Sequence, residues 1–196
     1  MSAESPSPAS AALGQLKSVA SAGAEGAAKA LALLVGCSVA HRQRGAPAQG
    51  TSPREYHRAT GIFFEVNGDL GGGVALLLGP EARDRVVRSF LGVGREGDID
   101  PDTAFSAVCE LGNIVASRAI SAVADTLGAR ILLSLPNLAT ESAEVVLESW
   151  ITERRRHGPV LHFEIELADI EGSFQALLVF VLDPQDRRSL GRLPGV

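Results

Sequence analysis

The chain has 196 residues, of which 45% are apolar, 21% charged and 5% aromatic. That composition can bury a core in one compact domain, or in two small related halves, and it excludes wholesale disorder. A net charge of -5, from 18 basic and 23 acidic residues, argues against nucleic acid as the main partner, because phosphate backbones call for a basic face.

With 21 Gly, long Ala runs and few aromatics, the core must be built from Ala, Val, Leu and Ile with close backbone contacts. Cys37 and Cys109 are too few for a disulfide framework and lack zinc-ligand spacing. Both lie in apolar helical patterns, where a free Cys acts as a small core residue. No run of about 18 uninterrupted apolar residues suggests a membrane span. Residues 1–12 lack the basic start and apolar stretch of a secretory signal. The expectation is a soluble protein of a reducing, cytoplasmic compartment.

Residues 1–12, rich in Ser, Ala and Pro, read as a flexible tail. Leu13, Leu16, Val19, Ala20, Ala27, Leu31 and Leu34 then recur at helical spacing, and Gly36 is a stop signal for that helix. Residues 41–55 carry Gly and Pro after a basic start and predict a loop. GIFFEV and GVALLL around Asn67-Gly68-Asp69 predict a hairpin. Pro80 to Leu91 predicts a short helix with Val86, Val87, Phe90 and Leu91 on its apolar face. Asp100-Pro101 opens a second long helix that Gly128 ends. The segment ARILLSL predicts a strand leading to Pro136. Thr140 to His157 predicts a helix, early Glu141 and Glu144 and late Arg154, Arg155 and Arg156 matching its dipole. VLHFEIEL and FQALLVFVL predict two closing strands, and residues 187–196 a tail.

The chain repeats itself. Residues 13–36 overlay residues 105–128 at an offset of about 92, a long helix ended by Gly in both. Downstream, Phe64-Glu65-Val66 echoes Phe163-Glu164-Ile165, and Pro80 echoes Pro184. The economical fold is α/β (α+β): a pseudo-two-fold duplicated domain over 13–186, with halves of about 13–91 and 100–186. Two long helices pack on a shared, mostly antiparallel sheet.

The second long helix carries a polar stripe. At about 100° per residue, Ser106, Glu110, Asn113, Ser117 and Ser121 share one face, opposite Ala104, Val108, Leu111, Val115, Ala119 and Ala122. An ordinary solvated face has the same geometry, but it normally carries several Lys, Arg and Glu. Here Glu110 is the single charge between Phe105 and Ala116, among the small residues Ala107, Gly112 and Ala116. That low relief lets another protein's surface approach. The first helix has a corresponding stripe of Gly14, Ser18, Ser21, Glu25 and Lys29. Ser18 and Ser21 stand where the second helix has Glu110 and Asn113, so the first stripe reads as a degenerate copy.

The pattern Asp/Ser-x3-Glu-x2-Asn-x22-Pro, met by Ser106, Glu110, Asn113 and Pro136, resembles the CheC/CheX/FliY family of response-regulator phosphatases. The local run Ser-Ala-Val-Cys-Glu-Leu-Gly-Asn, the Gly-rich hairpin 68–73 and the duplication resemble the family as well. The resemblance covers about residues 13–185. It implies hydrolysis of the aspartyl phosphate of a CheY-like receiver domain. Asn113 would orient the attacking water, and Glu110 would pair with the receiver's lysine. Ser106 and Pro136 would support helix and loop geometry. No cofactor of the chain's own is implied, since the receiver supplies Mg²⁺. A CheD-like partner is known among some relatives. Single-site relatives include CheC-type monomers and CheX-type dimers, and both stay open here. No nucleic acid or membrane partner is implied.

The competing class is a non-enzymatic receiver-binding or flagellar-switch-type module. The intact Glu110, Asn113 and Pro136 favour the enzyme. Other groups read as structural. His41, His57, His157 and His162 lack ligand spacing, and Glu25 with Lys29 is a helix-supporting pair. The basic runs 41–44 and 154–156 suit solvated ends or an acidic partner surface. Asp69 to Gly73 is turn chemistry rather than a phosphate loop, and Trp150 is a packing anchor.

Overall fold

The hairpin expected around Asn67-Gly68-Asp69 lies inside the sheet and organises the rest. The computed structural model describes residues 8–44, 56, 58–158, 160–169 and 171–183. Its elements are α1 (Pro8–Val35), β1 (Val39–Gln43), β2 (Arg58–Gly68), β3 (Gly71–Leu78), α2 (Pro80–Leu91), α3 (Pro101–Leu127), β4 (Ile131–Leu133), β5 (Asn137–Glu141), α4 (Ala143–His157), β6 (Leu161–Asp169) and β7 (Gln175–Asp183). The strands run β1-β6-β7-β3-β2-β4, with β5 also on β2, and every pairing is antiparallel. This is the α+β architecture expected.

The strand order carries the pseudo-two-fold. β3 and β7 pair at the centre, β2 and β6 flank them, and β4 and β1 close the two edges. Each edge strand follows the long helix of one half and pairs with the other half. Burial repeats at the same offset: Val19, Ala20, Gly23, Ala24, Ala27, Ala28 and Leu31 are buried on α1. On α3 the matching buried positions are Leu111, Gly112, Val115, Ala116, Ala119, Ile120 and Val123. A repeat in burial as well as in residue type means that both helices meet the sheet in the same way.

The two sheet faces are covered differently. Ile62, Phe64, Val74, Leu76, Ile165, Leu167, Leu178 and Phe180 pack under α1, α2 and α3. Their alternates Phe63, Ala75, Leu77, Leu177 and Val179 pack under α4. Alternation along a strand sends neighbours to opposite faces, so strands apolar on both sides read as continuous runs. Trp150 is indeed an anchor of α4. Its ring meets Phe63 edge-on at 5.5 Å, its Nε1 donates to Glu65 at 3.0 Å, and the Arg154 guanidinium lies over it. A Cβ on Gly73 would sit 2.2 Å from that ring.

By length and composition, α3 and the Ser18–Val35 part of α1 are apolar enough to cross a membrane, but half of each is buried within the fold. Their apolar faces are accounted for by the sheet and by each other.

Three boundaries differ from expectation. Residues 8–12, expected in a tail, open α1, while 1–7 and 187–196 lie outside the described residues. Residues 41–43, expected in a loop, belong to β1. Beyond Val39 that strand is exposed, so it has no apolar alternation to detect. It is held by backbone pairing to β6 and by Arg42 and Arg44 on Glu166, at 2.9 and 3.2 Å. Residues 140–141, expected to begin a helix, end β5, and α4 begins at Ala143. Pairing of Leu138 and Ala139 with β2 outweighs the local helical signal.

Asp169 ties the β6–β7 turn to α2. It accepts from the Phe174 amide at 3.0 Å and the Ser173 hydroxyl at 2.6 Å, and it pairs with Arg85 at 3.2 Å. Burial pushes its carboxyl up, but those hydrogen bonds and the Arg85 charge prevail, and it lies below its usual value. A depressed carboxylate contributes stability above its unfolded pKa and loses it as pH falls through the folded one. Asp169→Asn is therefore expected to lower the melting temperature at neutral pH. It should also flatten the fall in wild-type stability below about pH 4. Parallel acid melts of the two proteins would show the idea wrong if the curves keep a constant gap.

Candidate functional site

α3 is a well-defined helix from end to end. Asp100 caps it, accepting from the amides of Asp102 and Thr103 at 3.1 and 3.0 Å. Hydrogen bonding from Thr103 holds the Asp100 carboxyl below its usual range. Pro101 occupies the first turn, and Gly128 ends the helix at φ 59°, its N–H directed to the carbonyls of Ala124 and Asp125. Both ends are satisfied, as the sequence signals require.

The core-facing side fixes the exposed side. Ala107, Val108, Leu111, Gly112, Val115, Ala116 and Ala119 are buried. A Cβ on Gly112 would lie 2.7 Å from Ile62, so α3 rests directly on β2. This corrects one expectation. Ala107, Gly112 and Ala116 do not make the outer surface low; they allow α3 to approach the sheet and α1. Ala104 and Ala122, expected to face the core, are half-buried, and Ala104 packs against the core.

Ser106, Glu110 and Asn113 are all exposed on the opposite side. Glu110 lies four positions after Ser106 and Asn113 three after Glu110, rises of about 6 and 4.5 Å along one face. Among the described residues the Glu110 carboxylate has no hydrogen bond or ion pair. The Ser117 hydroxyl stands 3.5 Å from Asn113 Oδ1, a distance too long for a strong hydrogen bond. The Asn113 amide thus keeps its donors and most of its acceptor capacity for a partner. Cys109, one residue before Glu110, is half-buried, and burial pushes its thiol up, which disfavours the thiolate.

Pro136 lies off the helix, half-buried in the link between β4 and β5. Ser134 pins that link to β2: its amide donates to the Glu65 carbonyl, and its hydroxyl accepts from the Glu65 amide, both at 2.9 Å. Leu132 and Leu135 on the same stretch are 68% and 86% exposed, an apolar pair at the sheet edge. The structure therefore brings Ser106, Glu110 and Asn113 onto one face and places Pro136 in a separate segment.

Ser18 and Ser21 are exposed on α1, on the face matching Glu110 and Asn113. Farther along the same stripe Glu25 and Lys29 pair at 2.7 Å. Two features beside the site carried no sequence signal. Phe105 is 55% exposed on α3. Asp102, Thr103, Ser106, Ala107 and Glu110 form a shallow depression with Phe90 and Leu91 of α2. Helical periodicity can find Asp102 on the stripe, but the approach of α2 is a tertiary fact.

No family model and no curated protein matches the chain. Solved structures do. A chain of the CheX–CheY–BeF3–Mg²⁺ complex from Borrelia burgdorferi matches with TM-score 0.57 at 11% identity, covering 83% of this chain and 96% of that one. Thermotoga maritima FliY matches with TM-score 0.58 at 15% identity, covering 91% and 95%. The FliM middle domain of H. pylori matches with TM-score 0.58 at 8% identity, covering 93% and 98%. A duplicated α+β domain with an exposed carboxylate–amide helix is thus the class of protein in hand. Its fold is that of chemotaxis CheX, CheC-like and FliY proteins, the family that Ser106, Glu110, Asn113 and Pro136 resemble.

Proposed function

We propose that this chain hydrolyses the aspartyl phosphate of a CheY-like receiver domain, with Asn113 as the catalytic residue and Glu110 as its docking partner. The observation that carries the proposal is the pair itself. A carboxylate and an amide stand one turn apart on a rigid helix, exposed and almost without internal partners, in the spacing of the phosphatase motif.

The chemistry asks little of the enzyme. An acyl phosphate is already reactive, and a receiver holds its own Mg²⁺ and lysine against the phosphoryl oxygens. What remains is to place a water in line with phosphorus, which is catalysis by positioning. A neutral amide suits that task, because it hydrogen-bonds water without adding negative charge beside a phosphate. Glu110, one turn away, would meet the receiver's lysine and fix the helix in the pocket. Ser106 and Pro136 would support helix and loop geometry. The chain needs no metal of its own for this, and receivers of this kind place it in the cytoplasm.

The alternative is a binding module that holds a receiver without hydrolysis, as flagellar-switch relatives of this fold would. The deciding measurement is the lifetime of a phosphorylated receiver from the same source, with and without the protein. A shortened lifetime is expected. Unchanged lifetimes for every such receiver, with binding retained, would establish the binding module instead.

A further inference from the structure

The depression between α2 and the start of α3 continues the Glu110 face toward the N-terminus of the helix. It is an open, shallow depression of about 410 Å³ lined by Phe90, Leu91, Asp102, Thr103, Ser106, Ala107 and Glu110. Its ionisable lining is two carboxylates, Asp102 and Glu110, eight residues apart on α3, or about 12 Å along the axis. Ser106 stands between them, and the half-buried Phe90 and Leu91 form an apolar wall.

Both carboxylates are available. Among the described residues neither the Asp102 nor the Glu110 carboxylate accepts a hydrogen bond or joins an ion pair. The capping duty at this helix end is already met by Asp100, which takes the amides of residues 102 and 103. Arg88, the basic residue in the last turn of α2, is committed elsewhere. It is held by Asp84 at 2.9 Å and by the carbonyls of Gly94 and Gly97 at 2.9 and 2.7 Å. The notch is therefore acidic and apolar together, with no cation among the described residues that line it.

We infer that this notch is a second docking point for the receiver. It takes a basic side chain flanked by an apolar one from the receiver's surface, with Asp102 meeting the cation and Phe90 and Leu91 the apolar group. The inference rests on the receiver reading above and adds to it a specificity-determining residue outside the motif. Glu110 and Asn113 address the reacting centre. Asp102 selects which receiver can lie along α3, because a surface without a cation there leaves the carboxylate unpaired against a closing interface.

The test uses the full chain and a CheY-like receiver from the same source, phosphorylated with acetyl phosphate for turnover and loaded with beryllofluoride and Mg²⁺ for binding. Asp102→Asn is expected to raise KM about threefold and Asp102→Lys about tenfold. Both should leave kcat unchanged and flatten the salt dependence of KM, while Asp102→Glu should restore it. Glu96→Lys, an exposed charge change outside the notch, serves as control. An unchanged KM in Asp102→Lys, or an equal rise in Glu96→Lys, overturns the notch while leaving an active wild type intact. Wild type that binds the loaded receiver without hydrolysis, weakened by Asp102→Lys, overturns the phosphatase reading and supports the notch. Wild type that neither binds nor hydrolyses overturns both.

Discussion

Asn113→Ala is expected to leave a phosphorylated receiver decaying almost as slowly as it does alone, a loss of about a hundredfold or more in stimulated hydrolysis. The loss should fall on kcat, because the alanine removes the group that orders water and leaves the docking carboxylates in place. Asn113 is exposed and its amide supports nothing in the core, so the melting temperature should not move. Asn113→Asp is a sharper case. It keeps the shape but sets a negative charge beside the phosphoryl oxygens, and it should be as inactive as alanine. Glu110→Ala should behave differently, raising KM more than it lowers kcat. Phosphate release followed at several receiver concentrations separates these outcomes. Activity of Asn113→Ala equal to wild type would remove the water-positioning role, whatever the chain then proves to catalyse.

Much of the fold that positions Asn113 was legible because its signals are local. Asp100-Pro101 and Gly128 bound α3 by chemistry confined to a few residues, and helix and caps agree. The hairpin β2–β3 and the strand β7 carry apolar runs, and β6 alternates apolar residues with His162, Glu164 and Glu166, so their type follows from local pattern. The duplication was readable for a related reason: seven buried positions of α1 and α3 repeat at one offset, and each is filled by glycine or an aliphatic residue in both helices. The illegible parts depend on partners far along the chain. β1 is a polar edge strand whose existence rests on β6 and on Glu166, more than a hundred residues away. β5 is a strand because β2 offers it an edge, against a local preference for helix. The site divides in the same way. Glu110 and Asn113 sit on one periodic element and could be placed by counting. The meaning of Ala107, Gly112 and Ala116 could not, because smallness at a helix surface is the same letter whether the neighbour is a partner protein or the chain's own sheet.

That smallness yields the second large expectation. α1 and α3 lie against each other with Gly26 at the contact. A Cβ there would come within 2.6 Å of the Arg118 carbonyl oxygen and 3.2 Å of the Ala122 Cβ. A backbone carbonyl inside a helix cannot step aside as a flexible side chain can. Gly26→Val gains a little from replacing glycine within a helix, a few tenths of a kcal/mol on the propensity scale, roughly. Against this it must push the two helices apart or distort both, which in a close-packed interior costs about 3 kcal/mol. The net loss should appear as a lower urea midpoint with an unchanged slope. Gly36→Ala is the informative contrast. Gly36 has φ +71° and nothing within 4 Å of the added carbon, so its cost is backbone strain alone, about 1 kcal/mol. If packing between the helices explains why this chain is so rich in small residues, Gly26→Val must be clearly the worse of the two. Equal midpoints would mean that the helices are not in the close contact described, and that α3 owes its position to β2 and Gly112 instead.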